Sequence, residues 1–146
     1  MKNAKWVVGI RPMKREFSDW YGQRGWSKEG LVRTMSRIDG PLRDSTLSAQ
    51  RLTVAGIAYA GRQGIARVEV SADDGQNWQD AQLRQSPPAG SDQWLRWTAE
   101  LSVPRVSGVA VLARATDGTG ELQEQTFALP QPNGGTGWPR IELKPT

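Results

Sequence analysis

Apolar and polar residues alternate along several parts of the chain, as in β-strands that bury one face. In residues 65–71, 95–103 and 109–115 every second side chain is apolar or small. The 3.6-residue repeat of an amphipathic helix does not recur. The pattern therefore predicts an all-β protein built from short strands.

A further segment, residues 52–60, is apolar on both faces, which predicts a strand at the centre of its sheet. Glycines at residues 61–64 predict the turn that follows it, and the last strand is predicted over residues 138–144. About seven strands joined by Gly- and Pro-containing turns favour an immunoglobulin-like (E-set) β-sandwich. The chain has no Cys, so packing by residues such as Trp78 and Trp97 has to replace the usual core disulfide.

Residues 10–50 lack the alternating pattern and are rich in Arg, Gly, Ser and Asp, with aromatic residues at Phe17, Trp20, Tyr21 and Trp26. We predict an irregular N-terminal arm over residues 1–43 and the sandwich over residues 44–146. A long segment without regular structure usually indicates a function or a missing partner.

Charge is unevenly distributed along the 146 residues. Residues 1–67 carry 13 basic and 5 acidic side chains (net +8), whereas residues 68–146 carry 6 basic and 10 acidic (net −4). The basic part favours an anionic partner or an acidic protein surface. No nucleic-acid-binding motif accompanies it, so nucleic acid is not a predicted partner. No apolar run approaches the roughly 20 residues that span a bilayer, so no membrane insertion by this chain is predicted.

The composition removes much catalytic chemistry, because the chain contains neither Cys nor His. Two acidic pairs, Asp73 with Asp74 and Glu121 with Glu124, do not have the arrangement of a paired-carboxylate hydrolase. The residues therefore predict no catalytic, cofactor-binding or metal-binding site.

One short motif, Ser-x-Asp-x-Gly-x-x-Trp at residues 71–78, resembles an Asp-box hairpin. We predict a structural role for it. Asp73 accepts hydrogen bonds from turn amides, Gly75 adopts a positive φ, and Trp78 closes the hairpin that begins at Ser71.

A series of motifs in a fixed order resembles the C-terminal dimerisation domain of sulfite oxidase-type molybdopterin-dependent oxidoreductases, in a bacterial form. The series includes Gln-Arg-Gly-Trp at residues 23–26, Met-Ser-Arg-Ile-Asp-Gly-Pro at 35–41 and Val-Ala-Gly-Ile-Ala-Tyr-Ala-Gly at 54–61. It continues through residues 68–71, 73–78, 81–83, 94–97, 114–120 and 137–141, and residues 1–6 resemble the junction with the cofactor domain.

The resemblance implies a non-catalytic domain that holds two subunits together as a homodimer, beside a preceding molybdopterin-binding domain of the same polypeptide. The molybdenum-molybdopterin cofactor would belong to that domain, and the parent protein would be membrane-associated or periplasmic. Candidate interface residues are Arg24, Trp26, Arg33, Arg37, Trp138 and Arg140.

Two positions depart from the pattern of the family's animal and plant members. Gly134 or Gly135 stands where they have an Arg that reaches the anionic substrate pocket, and Pro139 stands where they have a His. The resemblance therefore transfers no catalytic residue. The alternative function is a secreted or periplasmic immunoglobulin-like module that binds glycans through exposed Trp side chains and the Asp-box hairpin.

Overall fold

The computed structural model describes residues 5–15, 17, 19–30, 32–43, 45, 51–84, 92–103 and 108–144. Within these ranges the chain forms eight strands and two short 3-10 helices, Gly22–Arg24 and Gly61–Gln63. The strands are β1 (Met35–Gly40), β2 (Arg51–Tyr59), β3 (Ile65–Ser71), β4 (Gln79–Asp80), β5 (Gln82–Arg84), β6 (Leu95–Ser102), β7 (Val109–Asp117) and β8 (Arg140–Leu143).

The strands form two antiparallel sheets of four strands each. Sheet I has the order β1-β2-β6-β5 and sheet II the order β4-β3-β7-β8. The predicted all-β, two-sheet architecture is confirmed, and its immunoglobulin-like type stays a prediction. The predicted central strand is also confirmed, since β2 lies between β1 and β6.

The core lies between the inner faces of the two sheets. Sheet I contributes alternate residues of β2 and β6, and sheet II contributes alternate residues of β3 and β7, as the period of two requires. The buried apolar residues include Val54, Ala58, Trp97, Ala99, Leu101, Val68, Val70, Val111, Ala113 and Ala115. Burial of this set supplies the main stabilisation of the sandwich.

Trp97 is fully buried, and its ring lies against the backbone of β2. Gly56 is its register partner on β2. A Cβ atom at residue 56 would lie 1.9 Å from the carbonyl oxygen of Arg37 and 2.5 Å from the Trp97 ring. Space at the core, and not backbone conformation, therefore requires glycine at this position.

Residues 35–40 are not part of an irregular arm, contrary to the prediction for residues 10–50. They form β1, one of the two edge strands of sheet I, which pairs with β2 from Met35 opposite Tyr59 to Gly40 opposite Ala55. Residues 35–40 thus belong to sheet I, and the predicted division between arm and sandwich at residue 43 stays a prediction. Its inward side chains are Ser36 and Ile38, which explains the weak apolar signal.

The ends of the other elements differ little from the predictions. The turn at residues 61–64 is present as the 3-10 helix Gly61–Gln63, with positive φ at Gly61 and Gly64. The last strand is shorter than residues 138–144. Trp78 lies just before β4.

Candidate interaction surfaces

The predicted hairpin at residues 71–78 folds as a closed set of local hydrogen bonds. The Asp73 carboxylate accepts from the backbone N–H of Asn77 at 2.8 Å and from the Ser71 hydroxyl at 2.7 Å. Gly75 has a φ of +87°, and the Trp78 indole N–H donates to the Gly75 carbonyl at 2.9 Å. These contacts agree with a structural role for Ser71, Asp73, Gly75 and Trp78.

The hydrogen bonds of the hairpin determine the acidity of Asp73. Donation from the backbone and side chain of Asn77, and then from Ser71, lowers the pKa of Asp73 to about 2. A carboxylate that is stabilised in this way contributes to folding only while it is ionised.

We expect Asp73→Asn to lower the thermal midpoint at pH 7, and the difference from the wild type to shrink as the pH falls below 4. The reason is that the folded pKa, about 2, lies below the ordinary value of 3.8, so the stabilisation is complete above pH 4 and is lost towards pH 2. Circular dichroism melting between pH 7 and pH 2 measures the difference. If the difference in thermal midpoint stayed constant from pH 7 to pH 2, the ionised Asp73 carboxylate would not be what stabilises the hairpin.

Beside the hairpin, an arginine on the outer face of sheet II lies over one tryptophan ring and next to a second. The Arg114 guanidinium lies 4.0 Å from the Trp78 ring centroid and 5.4 Å from that of Trp138. Its Nε donates to the Glu69 carboxylate at 2.9 Å, which neutralises its charge. Glu69 and Arg114 are register partners on β3 and β7, so the sheet itself positions this pair.

Both indole N–H groups of this cluster are used inside the domain. Trp78 donates to Gly75, and Trp138 donates to the Gln123 carbonyl at 2.9 Å. The two rings meet edge to face with centroids 5.1 Å apart, and both side chains are half-buried. The contacts therefore give Trp138 an intramolecular packing role, and they leave neither ring as an open platform for a sugar.

Arg140 lies on the outer face of β8, next to the hairpin. Its guanidinium forms ion pairs with Asp74, at 3.0 Å, and with Glu142. Hydrogen bonds to Glu142 and then to Asp74 raise the pKa of Arg140. Asp73 and Asp74 thus point to different partners, as neighbouring residues in a turn are expected to do.

Arg24, Trp26 and Arg33 lie together, because the N-terminal arm packs against the loop between β7 and β8. The backbone carbonyl of Arg24 accepts from the Gln131 side chain, and Arg33 Nε donates to the Asn133 carbonyl at 3.3 Å. Next to Trp26, the N–H of Ser27 donates to the Pro132 carbonyl at 3.0 Å. We call residues 20–30, 32–33 and 122–133 together the arm-loop surface.

The arm-loop surface carries many solvent-exposed apolar side chains. Phe127 is 77% exposed and Leu129 is 67% exposed. Trp20, Tyr21, Val32 and Leu122 are also exposed, and the Arg24 guanidinium stacks on Trp20 at 3.6 Å. Exposed aromatic and aliphatic side chains accompanied by arginines are typical of protein interfaces.

Arg37 lies elsewhere, on the outer face of β1 in sheet I, where its Nε contacts Asp39 at 2.6 Å. The six candidate interface residues are therefore divided among three places: the arm-loop surface, the outer face of sheet II and the outer face of sheet I. The structure does not bring them into one patch.

Gln123 connects the two sheets and was not identified from the sequence. Its side-chain oxygen accepts from the Ser36 hydroxyl of β1 at 2.7 Å and from the Ala115 N–H of β7 at 3.1 Å. Its side-chain nitrogen donates to the Gly137 carbonyl at 2.9 Å, and the residue is buried. The residues around Gln123 give no local signal for this role, since its partner Ser36 lies 87 residues away in the sequence.

A second polar connection ties the start of β1 to the end of β7. Thr34 donates its hydroxyl proton to Asp117 at 3.1 Å, and Asp117 also accepts from the N–H and hydroxyl of Thr119. Desolvation raises the pKa of Asp117, but the hydrogen bonds from Thr119, Glu121 and Thr34 outweigh it, so the pKa is lowered.

Among the described residues, no group of three or more acidic side chains is placed so that it could hold a metal ion. Within the same ranges, no helix has the length and apolar character needed to cross a bilayer. The described residues thus form a two-sheet β domain with an exposed apolar surface of the kind that protein interfaces use.

The chain belongs to the Mo-co oxidoreductase dimerisation domain family, whose model matches residues 32–130. It is similar to sulfite oxidase of Arabidopsis thaliana, with 22% identity over 98% of this chain and 44% of that protein. It is also similar to mitochondrial sulfite oxidase of Drosophila melanogaster, with 34% identity over 86% of this chain and 27% of that protein.

Among solved structures, the chain is similar to the sulfane dehydrogenase SoxCD from Paracoccus pantotrophus. The TM-score is 0.60 and the identity 26%, over 77% of this chain and 30% of that one. The chain thus spans less than half the length of each of these proteins. The resemblance to the dimerisation domain of sulfite oxidase-like enzymes is confirmed.

Proposed function

We propose that this chain is the part of a molybdopterin-dependent, sulfite oxidase-like oxidoreductase that joins two subunits, and that it takes no part in the chemistry. The observation that carries the proposal is the family match over residues 32–130, which begins just before β1 and spans most of the sandwich. In this proposal the exposed apolar side chains of the chain contact other proteins.

The molybdenum cofactor is assigned to a separate domain of the same polypeptide, because the groups present here do not fit it. The chain has no Cys to ligate the metal. Its buried polar side chains, such as Gln123 and Asp117, are engaged in hydrogen bonds that join the strands. No step of the reaction is assigned to residues of this chain.

The arm-loop surface is the part of the chain that packs against this cofactor domain. Its arm is the segment that leads into the sandwich from the N-terminal side. Its aromatic residues, with Arg24 and Arg33, supply the apolar and cationic groups that interfaces use most. Arg24, Trp26 and Arg33 therefore keep the interface role predicted from the sequence, with the cofactor domain as partner.

Sedimentation equilibrium of the 146-residue chain tests the subunit-joining function. The expected result is a concentration-dependent mass that approaches twice the 16.1 kDa of one chain. A mass that stays at one chain up to concentrations of several hundred micromolar would contradict dimerisation by this domain alone. The family membership would stand in either case.

A further inference from the structure

The two sheets differ in how the arginines of their strands are paired. On sheet II each strand arginine contacts a carboxylate. Arg67 lies 3.3 Å from Glu69, Arg114 lies 2.9 Å from Glu69, and Arg140 lies 3.0 Å from Asp74. The outer face of sheet II is therefore largely neutralised by its own side chains.

The strands of sheet I carry an excess of positive charge. They contain four arginines against two acidic residues, whereas the strands of sheet II contain three arginines against four acidic residues. The four arginines are exposed, namely Arg37, Arg51, Arg84 and Arg96. Arg37 contacts Asp39 at 2.6 Å, but the other three form no ion pair with any residue that the structure describes.

Three of these arginines lie in one row across sheet I. Arg37 of β1 is opposite Ile57 of β2, and Ile57 is opposite Arg96 of β6. Arg96 is in turn opposite Arg84 of β5. The row points away from the core, because Trp97, the residue after Arg96, is buried and side chains alternate along a strand. Strand pairing thus gathers arginines that are far apart in the sequence.

Arg84 and Arg96 face each other directly on neighbouring strands. Side chains at such positions have Cβ atoms about 4.5 to 5.5 Å apart, and like charges there destabilise the sheet. The segment that joins the two strands, residues 85–94, contains one acidic residue, Asp92, whose carboxylate lies 3.9 Å from Arg62. The repulsion between Arg84 and Arg96 would therefore be relieved by an anionic group of a second molecule.

An aromatic pair adjoins the two arginines. Trp94 precedes Arg96 by two residues, and its ring stacks on Tyr59 with centroids 4.9 Å apart. Trp94 is 54% exposed, and Ile57, next to Tyr59 on the same face of β2, is half-buried. We call Ile57, Tyr59, Arg84, Trp94 and Arg96 the arginine-aromatic patch. Arginine and aromatic side chains are enriched among the residues that dominate binding at protein interfaces.

The carboxylate of β6 lies at the other end of this face. Glu100 is opposite Thr53 of β2 and accepts a hydrogen bond from its hydroxyl at 2.6 Å. Arg51, two residues from Thr53 on the same strand, is the diagonal neighbour of Glu100, so these two opposite charges offset each other. Arg96 is roughly 13 Å from Glu100 along β6. The uncompensated positive charge is therefore concentrated in the arginine-aromatic patch.

The geometry points to the arginine-aromatic patch as a docking surface for an acidic protein segment that carries carboxylates beside an apolar side chain. The carboxylates pair with the guanidinium groups of Arg84 and Arg96, and the apolar side chain packs on Trp94. The inference goes beyond the proposed function, because this partner is neither a second copy of the chain nor the cofactor domain.

The shape and charge of the patch favour this partner over others. A sheet face is nearly flat, whereas small-molecule sites are concave, so the patch fits a macromolecule. A nucleic acid gains affinity from many phosphate contacts, but here the unpaired arginines are few and Glu100 lies on the same face. A second copy would bring two faces of the same net positive charge together.

Binding of a labelled acidic peptide tests the patch. The probe is a fluorescein-labelled peptide in which glutamates flank a central phenylalanine, titrated with the 146-residue chain at low salt and followed by fluorescence anisotropy. We expect R84Q/R96Q to raise the dissociation constant by about tenfold or more, because both charge-assisted pairs are lost. Added salt is expected to weaken binding by the wild type.

R67Q/R140Q is the matched control, since it removes the same charge from the strands of sheet II. It is expected to leave the dissociation constant unchanged, and circular dichroism melting checks that both double variants fold. The docking surface would be overturned if the control weakened binding as much as R84Q/R96Q, or if the wild type did not bind the peptide.

A second peptide separates the aromatic contact from the charge. Its central phenylalanine is replaced by alanine. Trp94→Ala is expected to weaken binding of the phenylalanine peptide and to leave binding of the alanine peptide nearly unchanged. An equal loss for both peptides would refute the contact with Trp94.

Two further measurements identify other occupants. If a DNA duplex bound the wild type more tightly than the peptide and lost this binding in R84Q/R96Q, the patch would belong to nucleic acid and the inference would be overturned. Loss of the dimer in R84Q/R96Q, measured by sedimentation equilibrium, would assign the patch to a second copy and also overturn it. A wild-type chain that binds the peptide but stays a monomer would contradict the proposed function alone.

Discussion

Replacing Gly56 by Ala is expected to lower the free energy of unfolding by about 3 kcal/mol or more. The added methyl group would lie 1.9 Å from the Arg37 carbonyl oxygen and within 3 Å of two atoms of the Trp97 ring. Trp97 is fully buried and Arg37 belongs to the neighbouring strand, so neither can move without disturbing sheet I or the core. Urea denaturation followed by tryptophan fluorescence measures the change.

Gly30→Ala is the matched control for this experiment. A Cβ atom at residue 30 meets no heavy atom within 4 Å, and the residue does not have a positive φ. Its expected effect is within about 0.5 kcal/mol. If both substitutions were tolerated equally, the close contact between β2 and the Trp97 ring would be refuted.

Gln123→Leu is expected to lower the free energy of unfolding by about 3 kcal/mol, although leucine is more apolar than glutamine and similar in size. The substitution removes the acceptor of the buried Ser36 hydroxyl and of the Ala115 N–H, and the donor to the Gly137 carbonyl. A buried polar group that loses its partner costs about 1 to 3 kcal/mol. Chemical denaturation monitored by circular dichroism measures the loss.

Gln125→Leu makes the same change at an exposed position two residues further along the loop. We expect it to leave the free energy of unfolding nearly unchanged. The double variant Q123L/S36A distinguishes the hydrogen bond from general packing, because removal of the Ser36 hydroxyl is expected to recover part of the loss. If S36A instead lowers the free energy of unfolding as much in the Q123L background as in the wild type, the hydrogen bond between Gln123 and Ser36 does not account for the effect of Q123L.

The strands that were correctly predicted are those whose inward positions are all apolar. In β2, β3, β6 and β7, alternate residues enter one continuous core, so the period of two is visible in the sequence. β1 was missed because one of its inward side chains is Ser36. The buried Ser36 hydroxyl donates a hydrogen bond to Gln123, which lies 87 residues away in the sequence.

The same distinction between local and distant contacts applies to the candidate sites. The hairpin at residues 71–78 was predicted because the hydrogen bonds of Asp73 join residues two to four positions apart. The arm-loop surface depends on contacts such as Arg33 with Asn133, which are 100 residues apart in sequence.

The position of β1 has a mechanical consequence for the whole protein. The arm joins the sandwich at Met35, and β1 is bound along its length to β2, which lies between β1 and β6 in sheet I. Any domain held by the arm is thereby connected, through one ladder of hydrogen bonds, to the interior of sheet I. The ladder therefore fixes the point at which the arm enters the sandwich, and an unfolding force applied through the arm would first have to break the hydrogen bonds between β1 and β2.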